Sequence, residues 1–506
     1  MNKKSITNKM TKYIDAGFPI IYINTFEEIK ADKIIVDVSK SVGRQVLEWD
    51  ASNGVTKWNV KDEDIKKQHC SDGDYSLEQA LQLLNVDQDL SEKILVIKDA
   101  HHFFDNHKIV SMLKDISHKV LSGLETTIVV VSPVLSIPRE VEKYITVLEI
   151  GYLEDYEIEG LIREFALECE CKISEVLLEE MVLAFKGLSE YEVKNILALA
   201  YADDGELTKS DLKLIHDQKQ QVIKKSGILE MIPLKESLDD IGGLENLKKW
   251  LKKKAKVINN LNKAEEFGVD IPKGVLIAGL PGCGKSLNAK AAAKLFDVPL
   301  LRLDMGRLLG KYVGESEANM RKAISLAEAI SPCVLWIDEL EKAFAGIGES
   351  GGGAEITTRL FGNFLTWMQE KTSTAFVVAT ANNILKLPPE LMRKGRFDEI
   401  FYVGLPNKEE RKKIFEIHIS KRRKIDLPKI NIDKLVEKTE GYSGADIEGI
   451  VKDSIEETFA SGKTELTTEF LLDAIANTHS LSEIMKEPLE KMSKEYKERK
   501  FKNASI

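Results

Sequence analysis

Apolar residues occur along this chain in short runs, and between the runs the spacing changes to that of a helix. In the second half, residues 274–278, 300–303, 333–337 and 375–380 are apolar almost throughout and strand-length, the pattern of strands buried on both faces. Residues 285–296 and 315–330 carry apolar positions three and four apart, which predicts helices. Strands alternating with helices predict a parallel sheet covered on both faces. Beyond Pro406 the strand pattern stops, and 408–420 and 444–459 read as amphipathic helices, a small helical layer behind an α/β core. The first half follows the same script, with strands at 19–23, 94–97 and 127–131 and helices from about 154.

The two halves also echo each other residue by residue. Gly187-Leu-Ser-Glu-Tyr-Glu-Val-Lys-Asn-Ile-Leu answers Gly441-Tyr-Ser-Gly-Ala-Asp-Ile-Glu-Gly-Ile-Val at an offset of 441 − 187 = 254. The strand ending at Asp99 answers the one ending at Asp338 at 338 − 99 = 239. Similar offsets in the same order predict a duplicated unit. The expected boundaries are 1–150 for a first α/β domain, 151–216 for its helical layer and 217–238 for a polar linker. A second α/β core follows at 239–404, a helical lid at 405–480 and a charged tail at 481–506.

Composition changes this picture little. A chain of 506 residues with 30% charged residues has the make-up of a soluble globular protein, and no apolar run is long enough to span a bilayer. Five cysteines without a C-x-x-C pair give neither a disulfide framework nor a zinc site, which fits a reducing cytoplasm. A net charge of −10 makes nucleic acid a poor default partner.

The candidate chemistry lies in the second half. Gly279-Leu280-Pro281-Gly282-Cys283-Gly284-Lys285-Ser286, followed by Leu287, matches G-x-x-x-x-G-K-[ST] between a strand and a helix, the context a phosphate-binding loop requires. Backbone N–H groups of the glycine loop and the start of the helix would face phosphate oxygens. Lys285 would neutralise the β- and γ-phosphates of ATP, and Ser286 would ligate Mg²⁺. Cys333-Val334-Leu335-Trp336-Ile337-Asp338-Glu339 is an apolar strand ending in two carboxylates. Asp338 would hold the metal shell and Glu339 would activate the attacking water. Cys283 sits at the amino end of the predicted helix, where a thiolate is favoured, so oxidation there is expected to block ATP.

With these motifs, residues 239–480 resemble an AAA ATPase module: a P-loop NTPase with a parallel sheet plus an α-helical lid, preceded here by a degenerate AAA-like α/β domain. The resemblance implies that Asp240, Ile241 and Gly242 lie against adenine and that Asn382 helps hold the attacking water. It implies that Arg393 and Arg396 are arginine fingers, and that Gly444 and Ala445 close the lid over nucleotide. Fingers supplied by a neighbouring copy imply a homo-oligomeric ring, a hexamer by resemblance. Lys311, Tyr312 and Val313 match the pore loop with which the family grips a polypeptide client, and the glycine-rich stretch 345–353 stands in the place of a second one. Loosely, the whole chain resembles the tandem AAA ATPases encoded by cyanobacteria, other bacteria and algal plastid genomes.

The first half is expected to be silent. Laying 19–24 over 274–279 puts Asn24, Glu27 and Ile29 at the loop glycines and Lys30 opposite Lys285, with Ala31 at the metal serine. Glu27 and Glu28 would then repel phosphates, by roughly 3 kcal/mol each at ~5 Å and an effective dielectric near 20. Asp99 would answer Asp338, with Ala100 in place of the catalytic glutamate. The function expected is an ATP-driven motor that remodels or threads a protein client; the alternative is a nucleotide-controlled scaffold or switch.

Overall fold

The computed structural model describes residues 3–61, 64–70, 76–86, 90–225, 227–308, 315–344, 352–484, 486–498 and 501–506. The chain divides into two compact units, Met1–His216 and Asp217–Ile506.

In the first unit the strands are β1 (Ile20–Asn24), β2 (Gln45–Asp50), β3 (Gly54–Lys61), β4 (Asp64–His69), β5 (Lys93–Lys98), β6 (Thr126–Ser132) and β7 (Ile145–Glu149). They form one sheet in the order β4-β3-β2-β5-β6-β1-β7. Successive side chains of a strand point to opposite faces, so β1 sends Ile20 and Tyr22 into one apolar layer and Ile21 and Ile23 into the other. Each layer is closed by helices: Leu113 and Ile116 on the first face, Ile34, Ile35 and Met10 on the second. The antiparallel β3–β4 extension was not foreseen. It is anchored by the Trp58 indole, which donates to the buried Glu48 carboxylate at 2.9 Å.

The second unit holds β8 (Leu229–Ile232), β9 (Gly274–Gly279), β10 (Leu300–Leu303), β11 (Cys333–Ile337), β12 (Ala375–Ala381), β13 (Glu399–Val403) and β14 (Lys502–Asn503). Their order is β14-β13-β9-β12-β11-β10-β8, and the five central strands run parallel. The lid has its own core, built from Phe415, Ile419, Leu435, Ile447, Ile450 and Leu471 among others.

Two sequence expectations need correction here. The segment 217–238 is more than a polar linker: the helix Asp211–Lys225 runs into it, and β8 pairs antiparallel with β10, Leu229 opposite Leu303. The segment 481–506 is more than a charged tail, since its helix Lys486–Glu498 is followed by β14, which pairs with β13, and Ala504 is fully buried. Both strands are too short for periodicity to show them, and β14 is wholly polar.

The order β2-β5-β6-β1-β7 repeats as β10-β11-β12-β9-β13. Asp99 (φ 51°) and Glu339 (φ 50°) both take the left-handed region one residue before a short 3-10 turn. That match fixes the correspondence, and the strand pairings carry it across: Ile97 answers Ile337, Val130 answers Ala379 and Tyr22 answers Leu276.

Candidate nucleotide site

Strand β9 delivers the chain to the glycine loop, and the helix Lys285–Phe296 begins where Gly284, at φ 84°, forms its left-handed cap. Lys285 is buried, and its ammonium donates to the Leu280 carbonyl of its own loop at 2.6 Å. Burial lowers its pKa from the ordinary lysine value, because desolvation disfavours the charged form.

β11 places Asp338 directly across from the helix start, where the Ser286 hydroxyl donates to Asp338 Oδ1 at 3.1 Å. The Thr380 hydroxyl, from the neighbouring β12, donates to the same oxygen. Two hard oxygen donors this close, one of them an anion, fit a magnesium shell completed by phosphate and water. Glu339 follows. Its backbone N–H donates to Thr380 Oγ1 at 3.1 Å, and its Oε1 accepts from Asn382 Nδ2 at 3.1 Å. Its Oε2 pairs with the Lys342 ammonium at 2.5 Å. Asn382 is held in turn by its own N–H, which donates to the buried Glu341 carboxylate at 2.9 Å. Thr380, Glu341 and Lys342 were missed in the sequence; each lies within three residues of a predicted site residue, but nothing local announces its partner.

These groups face a cavity of about 440 Å³. Asp240, Ile241 and Gly242 form one wall, Pro281, Gly282, Cys283, Gly284, Lys285, Ser286 and Leu287 the floor, and Gly444 and Ala445 part of the lid side. The lid also contributes Glu410, Ile414, His418 and Glu448, which no motif singles out. Burial lowers the pKa of His418, so it presents a neutral ring at neutral pH. Glu410 is structural: its two oxygens accept the Leu244 and Asn407 N–H groups at 2.9 and 3.0 Å. The lid touches the floor directly, because the Ala445 N–H donates to the Gly282 carbonyl at 2.9 Å. A Cβ on Gly282 would lie 2.8 Å from Ser443 Oγ, so only glycine lets the two surfaces meet.

Other expected residues stand elsewhere. Gly279 lies beneath the floor, where a Cβ would come 2.0 Å from the Val403 carbonyl. Arg393 is exposed and Arg396 donates to the Glu390 carbonyl; neither lines the cavity of its own chain. Lys311, Tyr312 and Val313 lie outside the described residues, as does 345–351. The thiolate expectation for Cys283 is overturned: the thiol is buried, and burial pushes its pKa up to about 11.

The first unit needs a larger correction. With Tyr22 opposite Leu276, Asn24 answers Ala278. The turn to the next helix then has three residues, 25–27, against six, 279–284, in the second unit. The helix starts at Glu28, so it is Glu28, not Lys30, that stands opposite Lys285. Likewise Lys98, not Asp99, answers Asp338. The polarity of the site is thus inverted, and it is filled from within: buried Lys98 pairs with Asp32 at 2.7 Å and with Glu28 at 3.7 Å. Lys30 is spent elsewhere, on Glu157 of the helical layer at 2.9 Å.

Residues 275–405 match the ATPase family associated with various cellular activities (AAA), and residues 429–472 match the AAA+ lid domain. The chain belongs to the AAA ATPase family. In the first unit, residues 6–150 match the N-terminal domain of SpoVK-like AAA ATPases and residues 156–226 their second domain. Full-length AAA relatives bear the name "Uncharacterized AAA domain-containing protein ycf46". That of Guillardia theta is 37% identical over 483 residues, 95% of this chain and 92% of the relative. That of Pyropia yezoensis is 34% identical over 99% of this chain and 100% of its own length. A "Putative ribosome biogenesis ATPase nvl" from Dictyostelium discoideum is 35% identical over 238 residues, 46% of this chain and 27% of the relative. Among the described residues no helix is long and apolar enough to cross a membrane.

Proposed function

We propose that this AAA protein hydrolyses ATP at the cavity of its second unit and uses the cycle to remodel a protein client, working as a homo-oligomeric ring. The observation that carries the reading is the chain of contacts from Ser286 through Asp338 and Thr380 to Glu339 and Asn382. It supports the reading because it brings the two oxygens proposed to ligate metal next to the carboxylate proposed as base, in a cavity that buried Lys285 also lines. Lys285 would release the Leu280 carbonyl to bind the β- and γ-phosphates. Ser286 and Asp338 would hold Mg²⁺, which would draw charge from the phosphate oxygens. Glu339 would take the proton of a water that Asn382 orients. Arg393 and Arg396 lie away from their own cavity and are offered to that of a neighbouring copy, where a guanidinium stabilises the charge on the transferring phosphoryl group. A site completed from outside makes turnover depend on assembly.

Glu339→Gln tests the reading. The variant keeps the hydrogen bond from Asn382 but has no base, so it should bind ATP with unaltered affinity and lose hydrolysis by at least a hundredfold. Hydrolysis within threefold of the parent chain would refute this role for Glu339.

A further inference from the structure

The core and lid of the second unit are joined twice. The first join is the hinge Gly404–Pro406 between β13 and the lid helix Lys408–Arg423. The second is made by the end of the chain. At its near end this segment grips the lid: the Ser482 N–H donates to the carbonyl of Gly441, three residues before the cavity-lining Gly444. A Cβ on Gly441 would come 2.1 Å from Ser482 Oγ, so the grip is close. At its far end the segment is built into the core. Tyr496 stacks on Tyr402 at 4.0 Å, β14 adds to β13, and the Ala504 N–H donates to the Tyr402 carbonyl at 2.9 Å.

The far end also does something for the nucleotide wall. The helix Glu245–Ile258 begins immediately after Asp240–Leu244, and its cap residue, Leu244, supplies no side-chain acceptor. The first N–H groups of a helix need partners from outside it. Here the Ala504 carbonyl accepts from both Asn246 and Leu247, at 3.0 and 3.2 Å, while the Asn246 side chain donates to the Ser505 carbonyl at 2.6 Å. A second cavity of about 730 Å³ is lined jointly by the hinge and by Ser482, Asn503 and Ser505, and it shares Gly404 and Glu410 with the nucleotide cavity.

We propose that the C-terminal segment from Ser480 onward is a strap across the core–lid hinge, and that Ala504 and Asn246 are positioning residues for nucleotide. The strap fixes the first turn of the helix Glu245–Ile258, and with it the Asp240–Leu244 wall, while tethering the lid edge that closes on the loop. It touches neither ATP nor the reacting atoms, so it sets affinity and not the chemical step. The proposal rests on the nucleotide reading of the cavity.

The test compares the parent chain with Ala504→Asp, which cannot bury its side chain, and with a chain lacking residues 501–506. A fluorescent ATP analogue with Mg²⁺ reads affinity, steady-state hydrolysis separates KM from kcat, and amide exchange follows residues 244–247. In both variants the Asn246 and Leu247 amides should exchange faster. Affinity should fall and KM rise by roughly tenfold, the size expected from losing a pair of ordinary hydrogen bonds, with kcat within twofold. Freed amides with affinity unchanged within twofold would overturn the proposal, as would a fall in kcat with no change in KM. Should either variant unfold, Tyr496→Leu, which loosens the strap without removing it, takes its place under the same criteria. A parent chain that binds no nucleotide would instead refute the reading of the cavity.

Discussion

Both oxygens of the Glu339 carboxylate are engaged, one by Asn382 and the other by Lys342. On the proposed reading the Asn382 bond would orient the base, and the Lys342 pair would compete with the proton the base must take. Lys342 is largely exposed, with 69% of its side chain open to solvent, and exposed ion pairs are weak. The hold is therefore one that a small rearrangement can release. Lys342→Ala should raise kcat at saturating ATP by a few-fold and leave KM unchanged, since the lysine does not line the cavity. A kcat that stays the same or falls in steady-state assays would show that the ammonium does not restrain the base. At this scale much of the site was legible: Lys285, Ser286, Asp338 and Glu339 stand together as their spacing implied. Cys283 was misread because its burial in the apolar core is a tertiary fact, and Glu410 and His418 were invisible because nothing in a helix pattern says which of its polar residues faces a cavity.

The joint between α/β core and helical layer is built differently in the two units. In the second, the glycine loop meets the lid through Gly282 and Ala445 and leaves a cavity beside the contact. In the first, the shortened turn is cross-linked to the helical layer. Glu27 Oε2 accepts the Glu190 N–H at 3.3 Å, Lys33 pairs with Glu190 at 2.7 Å and Lys30 with Glu157. The other oxygen of this joint's buried acid, Glu27 Oε1, is also buried and has no hydrogen-bond partner. Desolvation raises the Glu27 pKa from 4.5 to about 7, partly offset by the Glu190 N–H and by Lys30, with Glu190 and Glu192 adding to the rise. The folded joint thus holds a proton that the unfolded chain releases near 4.5. Stability of the first unit should fall as pH rises from about 4.5 through 7 and level off above. Glu27→Gln removes that dependence. It should stabilise the unit by up to about 3 kcal/mol at pH 8 and by almost nothing at pH 4.5, read by amide exchange in β1 and β6. Equal effects at both pH values would show that Glu27 is not the titrating group.

The elements themselves were largely readable, because buried parallel strands such as Cys333–Ile337 and the helix Lys285–Phe296 announce themselves by their apolar pattern. What escaped was the length of one turn. Laying Asn24 over Gly279 is a slip of one residue, and the turn that follows is three residues shorter than its counterpart, so Lys30 took the place of Glu28; Asp99 took that of Lys98 through a separate slip of one residue in β5. Only the hydrogen-bonded register reveals the slip. The short strands β8 and β14 escaped for a different reason: they are defined by the edges they cover and not by their own sequence.

Seen whole, the molecule carries two copies of one layer order with opposite solutions at the same place. One copy keeps a buried lysine facing an acid pair across a cavity. The other swaps the signs and pairs its buried lysine with Asp32 and Glu28 of its own core. Relatives such as the Guillardia theta protein align along almost the whole chain, so this tandem arrangement is shared in outline and is not an appended fragment. The central claim is that nucleotide is taken up by the second unit alone. Titration calorimetry of the full chain with Mg²⁺ and ATP, using the Glu339→Gln variant to prevent turnover, tests it most directly. The account predicts one bound nucleotide per chain and none when Lys285→Ala is added. Two per chain, or one that survives the loss of Lys285, would contradict it.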